Sequence, residues 1–237
     1  MDNKALWNRV LMTDPKAVKP ITGKQYQGNS PKPYWLIERA TEEFGPVGVG
    51  WGVTVKSERF ERLSETDVLH VAVVSVWYVL DGKRSETFDQ MGGTKAAYKT
   101  SKGVLMVDED AGKKSVTDGM VKCLSMIGFA GDIFSGRWDD SKYVAEAGRF
   151  YADKSRLQPI PKTGAMADVL ATLPPLSEEW ANYFDEMALT IIDCGDDMSA
   201  AHQIIANADL SNEQRIHLEA RLPSNVRSAL KRHVQQE

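Results

Sequence analysis

The sequence predicts an α+β fold, in which helices pack on an antiparallel sheet. Apolar residues recur at helical spacing over residues 34–44 and again over residues 113–129. Between them, residues 51–56 alternate between apolar and polar, and residues 69–80 form an apolar run that ends at Asp81-Gly82, a dipeptide typical of tight hairpin turns. The order helix, strand meander, helix is that of an α+β domain.

The N-terminal region is predicted to lead into the first long helix. Residues 1–30 are polar and predict a short helix over 5–12, followed by a loop. Pro31 and Pro33 then favour a helix start, and Gly45-Pro46 ends the helix. The apolar side of this helix carries Trp35, Leu36, Ala40 and Phe44.

The run over residues 69–80 is apolar on both faces, with only His70 and Ser75 interrupting it. We expect this strand to be covered on both sides, which a helix layer on one face and a neighbouring subunit on the other could provide. A returning strand is predicted over residues 83–90, with Gly92-Gly93 ending it. Residues 94–103 are then predicted to form a lysine-bearing loop.

The helix over residues 113–129, which we expect to start near Asp108, has two different sides. One predicted buried stripe consists of Val116, Met120, Leu124 and Ile127. Charged residues step by four along another face, within reach of solvent or of a polyanion: Lys114, Asp118 and Lys122.

Charge is divided unevenly along the 237 residues, whose formal net charge is -4. Residues 1–162 carry 24 Lys and Arg against 21 Asp and Glu, whereas residues 163–237 carry 5 against 12. This asymmetry predicts a mildly basic body and an acidic tail, and the tail is either a solvated helical face or a docking site for proteins. Prolines at 159, 161, 174 and 175 separate the two, so we expect a core over 1–158, a linker over 159–176 and a helical partner-binding module over 177–237.

Composition favours a cytoplasmic protein without catalytic chemistry. No run approaches the roughly 18 apolar residues that cross a bilayer, and the start lacks the apolar centre of a signal peptide. The two cysteines, Cys123 and Cys194, suit buried thiols better than a disulfide or a metal site. No glycine motif for phosphate, paired histidines or calcium loop is complete, so no cofactor is expected. Asp132, Asp139 and Asp140 could bind a nuclease metal, although solvated loop residues are the favoured interpretation.

Two blocks carry a family resemblance. Val116-Thr117-Asp118-Gly119, with Lys122 and Gly128, resembles the signature helix of the Rad fifty-two superfamily of single-strand annealing proteins, which act in homologous recombination. Residues 37–45, followed by Gly50-Trp51, resemble the first helix of that family and its entry into the sheet. The resemblance covers roughly residues 30–130, and it implies a phage or prophage recombinase without enzymatic activity.

The resemblance also implies a mechanism and its residues. Such a protein binds single-stranded DNA and anneals complementary strands as an oligomeric ring or helical filament, with DNA in an outer basic groove. Lys122 and Lys113 match basic positions that face the inner groove, and Lys102 matches a lysine of a second, outer site; Lys114 lies beside them on the charged face. Trp35 stands where the family has a groove arginine, and it either stacks on bases or belongs to the core.

Further contacts remain open because Val121 and Ser125 replace basic residues of the family. Six cations around the predicted strands either contact DNA or form a solvated charged face: Lys56, Arg59, Lys83, Arg84, Lys95 and Lys99. The module over 177–237 is expected to recruit a single-strand-binding protein or a companion exonuclease. Two alternatives are a protein-interaction adaptor of a recombination complex without annealing activity, and, less favoured, a metal-dependent nuclease.

Overall fold

The computed structural model describes residues 3–22, 27–161 and 163–234. Its internal contacts divide the chain into two compact units, Met1–Gly148 and Arg149–Glu237. The first unit combines helices with an antiparallel sheet, which confirms the α+β prediction. The division lies before the predicted core limit at residue 158, and the segment predicted as a linker over 159–176 contains a helix, Ala165–Thr172.

The first unit contains short helices, long helices and seven strands among its described residues. Its helices are α1 (Ala5–Val10), α2 (Pro33–Phe44), α3 (Ala111–Met126), α4 (Gly131–Phe134) and α5 (Ser141–Arg156), the last of which continues into the second unit. Its strands are β1 (Val18–Pro20), β2 (Asn29–Pro31), β3 (Trp51–Arg62), β4 (Val68–Leu80), β5 (Lys83–Arg84), β6 (Phe88–Lys99) and β7 (Leu105–Val107).

The main sheet is antiparallel and curled, with the strand order β3-β4-β6-β7. The short strand β5 pairs only with the end of β4, at the turn made by Asp81 and Gly82. β1 and β2 form a separate two-stranded ladder within the region predicted as a loop. Among the described strands, β3 and β7 are therefore the two edges of the main sheet.

The predicted returning strand over residues 83–90 is wrong in its limits. After the two residues of β5, the pairing with β4 resumes at Phe88 and continues through Gly92 and Gly93 to Ala97. About half of the predicted loop over 94–103 is consequently strand. A glycine pair inside a strand here marks a close approach of another backbone rather than a strand end.

That backbone belongs to α3, which lies on β4 and β6 through a row of small residues. The row repeats every fourth position: Ala111, Ser115, Gly119 and Cys123. A Cβ on Gly119 would lie 2.6 Å from Cγ2 of Val74, and one on Gly92 would overlap the carbonyl oxygen of Ser115. The Ser115 hydroxyl donates to the carbonyl of His70 at 3.0 Å, so the helix is also hydrogen-bonded to the strand below it.

The predicted apolar stripe forms a second buried side of α3. Met120 and Leu124 are buried in the core together with α2, while Val116 and Ile127 pack against it less completely. α3 is thus covered on two sides, and this double burial leaves the lysines a narrow exposed strip. Cys123 is fully buried, as predicted, and its burial raises the thiol pKa to about 11.

Both faces of β4 contain buried residues, as the apolar run predicted. Ala72 and Val74 point towards α3, and Val71 and Ser75 are buried on the opposite face within this single chain. The polar residue His70 is also buried.

The second unit is all-α in its described part, as predicted for the C-terminal module. Its helices are α6 (Ala165–Thr172), α7 (Glu178–Asp193), α8 (Met198–Asn207), α9 (Asn212–Glu219) and α10 (Ser224–Val234). Ser177 caps α7, and Ser211 with Gln214 forms a complete capping box on α9. Pro223 lies between α9 and α10, where a proline disfavours one continuous helix. No helix in the described ranges is long and apolar enough to cross a membrane.

The space around Gly119 and Gly148 predicts that substitutions at these two positions change the free energy of unfolding in opposite directions. Gly119→Val should lower the free energy of unfolding by about 3 kcal/mol, because the new side chain enters the space of Val74. Gly148→Ala, in α5, is the matched control: nothing lies within 4 Å of the added Cβ, and a gain of about 0.5–1 kcal/mol is expected. Urea titration followed by circular dichroism measures both. Equal stability of the two variants would contradict the close packing of α3.

Candidate nucleic-acid interface

A groove of about 450 Å³, here called the α3 groove, separates the β1–β2 ladder from the exposed strip of α3. Its lining is Lys19, Ser30, Pro31, Pro33, Asp110, Lys113, Lys114, Thr117, Asp118 and Val121. Two of the predicted site residues, Lys113 and Lys114, therefore line the same groove as Lys19, which the sequence analysis did not predict. The third predicted residue of the helix, Lys122, does not line the groove.

Each lysine of the α3 strip holds a carboxylate. Lys113 donates to Asp110 at 2.9 Å, and Lys114 donates to Asp108 at 2.6 Å. These hydrogen bonds raise the pKa of both lysines, so both ammonium groups are charged at neutral pH.

Lys122 points away from the groove, towards β6. Its ammonium donates to Asp118 at 2.9 Å and to the carbonyl oxygen of Met91 at 3.1 Å. Asp118 also accepts the backbone N–H of Gly93, at 3.1 Å. The same carboxylate thus restrains Lys122 and ties α3 to the sheet.

The ion pairs set the conditions for anion binding in the α3 groove. The lining contributes three cations against the two carboxylates of Asp110 and Asp118. Ion pairs between exposed side chains contribute little to stability and exchange partners readily. A phosphate could therefore displace Asp110 from Lys113 and leave the lysine in place.

A second groove of about 480 Å³, here called the Tyr34 groove, lies at the start of α2. It is lined by Asp14, Lys16, Ala17, Lys32, Tyr34, Trp35, Ile37 and Glu38. The chain from Pro31 to Tyr34 contributes to both grooves, with Pro31 and Pro33 in the α3 groove and Lys32 and Tyr34 in this one. The two grooves are therefore neighbours along one short segment.

The aromatic residue that is available for stacking is Tyr34 rather than Trp35. Tyr34 is 84% exposed, whereas Trp35 is partly buried and packs against the main core. An exposed aromatic face beside cations is the arrangement that holds unstacked bases. Trp35 contributes one wall of the groove and belongs mainly to the core, which was one of the two interpretations of its sequence position.

The remaining predicted cations lie elsewhere. Arg59 and Lys95 pair with Val71 and Leu69 of β4, so they project from the sheet face opposite α3. Lys56 donates to Asp89 at 2.7 Å, which lowers the pKa of Asp89, and Arg59 contacts Glu61 at 2.6 Å.

Four more predicted cations lie around the sheet: Lys83, Arg84, Lys99 and Lys102. The Arg84 guanidinium lies 4.1 Å from the ring centre of Trp77, and Lys95 is 3.8 Å from Asp67. Lys83, Lys99 and Lys102 are exposed. The structure thus divides the predicted site residues between the two faces of the sheet instead of gathering them in one groove.

Of the three acidic residues considered for a nuclease, Asp132 is not the solvated loop residue that was favoured, so that interpretation is wrong for it. Asp132 is fully buried, and its carboxylate accepts from Thr13 N at 2.8 Å, Thr13 Oγ1 at 2.6 Å, Trp138 Nε1 at 2.9 Å and Tyr143 Oη at 3.0 Å. Burial, with Asp132 as the next cause, raises the pKa of Tyr143. Asp139 and Asp140 are exposed. Within the described residues, no group of three or more Asp, Glu, His or Cys side chains could hold a metal ion.

The sequence prediction missed three cations and one exposed aromatic residue that line the grooves: Lys16, Lys19, Lys32 and Tyr34. The usable signal was the pattern Pro31-Lys32-Pro33-Tyr34, since the prolines favour an extended Lys32 and Pro33 begins the helix that carries Tyr34. Lys19 could not be found this way, because its ladder partner Ser30 is distant in the sequence.

Comparison of the sequence with protein families and curated proteins identifies no relative. No protein-family model matches the chain, and no curated protein matches it by sequence.

The α3 groove predicts opposite effects for its cations and its carboxylate. Replacing both Lys113 and Lys114 by Ala should weaken binding of a single-stranded oligonucleotide and lower its salt dependence by a slope of about 0.7 per lost phosphate contact. Asp110→Asn should strengthen binding several-fold, because it frees Lys113. Lys142→Ala is the control, and fluorescence anisotropy at several salt concentrations is the measurement. Equal affinities of all variants would remove the α3 groove from the interface.

The two aromatic residues at the start of α2 predict a separation of binding from stability. Tyr34→Ala should lower oligonucleotide affinity on the order of tenfold and leave the free energy of unfolding unchanged, because the ring is exposed. Trp35→Ala should lower the free energy of unfolding by about 2 kcal/mol, because the ring packs against the core. Anisotropy and urea titration measure the two effects. The reverse pattern would show that Trp35 is the stacking residue.

Proposed function

We propose that this protein binds single-stranded DNA and anneals complementary strands in homologous recombination or repair, as a ring or filament of identical subunits. The proposal includes a first unit organised like the core of the Rad fifty-two superfamily. The observation that carries it is the α3 groove. The helix with the Val116–Gly119 motif presents Lys113 and Lys114 opposite Lys19, beside the exposed ring of Tyr34.

The two grooves suit a strand held by its backbone. Lysines of the α3 groove would neutralise phosphates by replacing their carboxylate partners, and Tyr34 would stack on a base next to them. Annealing makes and breaks no covalent bond, so it requires only that the remaining base edges stay free for a second strand. The short exposed strip of α3 serves this purpose, since it contacts a backbone without enclosing it.

Exposed apolar residues on both edges of the main sheet support self-assembly. Edge strand β7 and the residue before it are apolar throughout, with Leu105 59% and Val107 67% exposed. Edge strand β3, at the other side of the sheet, exposes Val55 and Phe60. The apolar edge at β7 and the exposed Val55 and Phe60 among the charged residues of β3 are two different surfaces of one subunit. They fit a head-to-tail contact, which repeats into a ring or a helical filament.

The second unit would recruit partners. Its helix α7 begins with Glu178 and Glu179 and exposes Trp180 and Tyr183 beside them. A mixed acidic and aromatic surface suits a protein partner better than DNA. A single-strand-binding protein or a companion exonuclease would be suitable partners for an annealing protein.

An adaptor role without annealing is the second candidate, because carboxylates already neutralise most of the predicted site cations. Six of the ten predicted cations have such a partner: Lys56, Arg59, Lys113, Lys114 and Lys122 within 3 Å, and Lys95 at 3.8 Å. The two functions differ in whether phosphate can displace these carboxylates. Annealing activity decides between them.

An annealing assay on edge variants tests the whole proposal. The chain should accelerate pairing of two labelled complementary oligonucleotides, form a large particle by sedimentation velocity, and leave strand lengths unchanged with magnesium or manganese. Leu105→Lys combined with Val107→Lys should dissociate the particle and slow annealing on the order of tenfold, since charges disfavour edge pairing. Val169→Lys, in the second unit and also exposed, is the control.

Each contrary result has a distinct meaning. Oligonucleotide binding without faster pairing would favour the adaptor, and shortened strands would favour the nuclease. A wild-type monomer that anneals at full rate would refute the assembly while leaving strand pairing intact.

A further inference from the structure

A groove in the second unit has an apolar interior. It measures about 370 Å³ and lies among α8, α9 and α10. Its apolar lining includes Ile205, Leu218, Leu222, Leu230 and Val234. Leu218 and Leu222 are almost completely buried and belong to the core of this unit, whereas Val234 is exposed at the end of α10. The volume lies near the lower end of ligand pockets, about 300–1,000 Å³, and so suits a few apolar side chains.

The rim of the same groove is basic. Arg215, Arg227 and Lys231 line it together with one acid, Glu219, and one histidine, His202. Among residues 163–234, no carboxylate forms an ion pair with the side chain of Arg227 or Lys231, whereas the lysines of α3 are paired. Arg215 is fixed by its Nε, which donates to the carbonyl of Leu210 at 3.2 Å. Two cations at the rim are therefore available to an anionic partner.

The surrounding charge makes this rim selective. Residues 163–207 contain eight Asp and Glu and no Lys or Arg, whereas residues 208–237 contain five Lys and Arg and four Asp and Glu. Four of the five cations in residues 163–237 thus lie on α9 and α10, and three of these four line the groove with the apolar floor. Complementary charge steers an acidic partner towards this groove and disfavours a basic one.

We propose that this groove binds an acidic peptide segment of a partner protein. One or more apolar side chains of the segment enter the groove, and its carboxylates contact Arg227 and Lys231. The mode is that of an amphipathic segment in a helical groove, in which apolar anchors supply affinity and the charged rim supplies register. The inference rests on the proposed recruiting role of the second unit and gives that role a site and a ligand class.

Single-stranded DNA is the competing occupant of a basic rim. The apolar floor argues against it, since a nucleotide strand would place phosphates and sugars over Leu218 and Leu222 and bury few apolar groups. In addition, no Phe, Tyr or Trp ring on which a base could stack lines the groove. DNA therefore serves as a competitor in the test.

The test first measures peptide binding by the full-length chain, before any DNA is added as competitor. The probe is a labelled peptide of about twelve residues composed of Asp and Glu, with Leu and Phe at positions i, i+3, i+4 and i+7. Two control peptides replace either the apolar residues by Ala or the acidic residues by Lys. Fluorescence anisotropy should show saturable binding of the probe, and both controls should bind at least about tenfold more weakly.

Charge reversal on α10 locates the binding site. Arg227→Glu combined with Lys231→Glu should weaken probe binding on the order of tenfold or more, because two attractive contacts become repulsive. Arg232→Glu is the control for each single reversal: it reverses one charge on the same helix, at a residue outside this groove, and should change affinity less than about twofold. Circular dichroism and urea titration verify folding, and Lys231→Glu alone replaces the double variant if that variant unfolds.

Three results would overturn the proposal: no saturable binding of the probe, equal weakening by Arg232→Glu, or displacement of the bound probe by a single-stranded oligonucleotide. These results are separate from those that test annealing. The double reversal on α10 should leave the annealing rate unchanged. If the unaltered chain binds the probe but does not anneal strands, the proposed function alone is refuted.

Discussion

The close contact between α3 and the sheet is the constraint on which the first unit depends. It exists because Gly92 and Gly119 have no side chains and because Ser115 donates a hydrogen bond to the carbonyl of His70. With the helix held at this distance, Met120 and Leu124 reach the core on one side and the row of small residues fills the other. Only a narrow strip of α3 remains exposed, and this strip carries Lys113, Lys114 and Lys122. The packing of the core thus determines where the charge of the helix is displayed.

Charge pairing decides what that strip can do. A count of cations suggests a basic surface. However, each lysine of the strip forms an ion pair, at 2.6–2.9 Å, with an aspartate that precedes it by three to six residues in the sequence. Such pairs tune binding rather than preclude it, because exposed carboxylates yield to a phosphate more readily than buried ones. The buried carboxylate of Asp132 illustrates the contrast, since five donors from Thr13, Ile133, Trp138 and Tyr143 hold it in place.

The two units separate the two kinds of interaction that an annealing protein in a recombination complex would need. In the first unit, cations and an exposed tyrosine line open, polar grooves, which fit a backbone that must remain accessible. In the second unit, cations surround an apolar floor, which fits a partner with apolar side chains. Under the two proposals the same residue types would serve different ligands, and what distinguishes the two grooves is the surface beneath the charge.

Local sequence determined the α+β class, the capped starts of α7 and α9, the hairpin turn at Asp81-Gly82 and the burial of Cys123. The reason is that capping, turn chemistry and periodicity act over a few residues. Tertiary structure alone decided the course of β6 through Gly92-Gly93, and it exposed Tyr34 while it partly buried Trp35. It also placed Lys19 and Lys113 in one groove and divided the predicted cations between two sheet faces. The reason is that each of these depends on residues far apart in the chain. A glycine between strand residues has the same local propensity whether it ends the strand or makes room for a helix, and only the helix packed against it distinguishes the two.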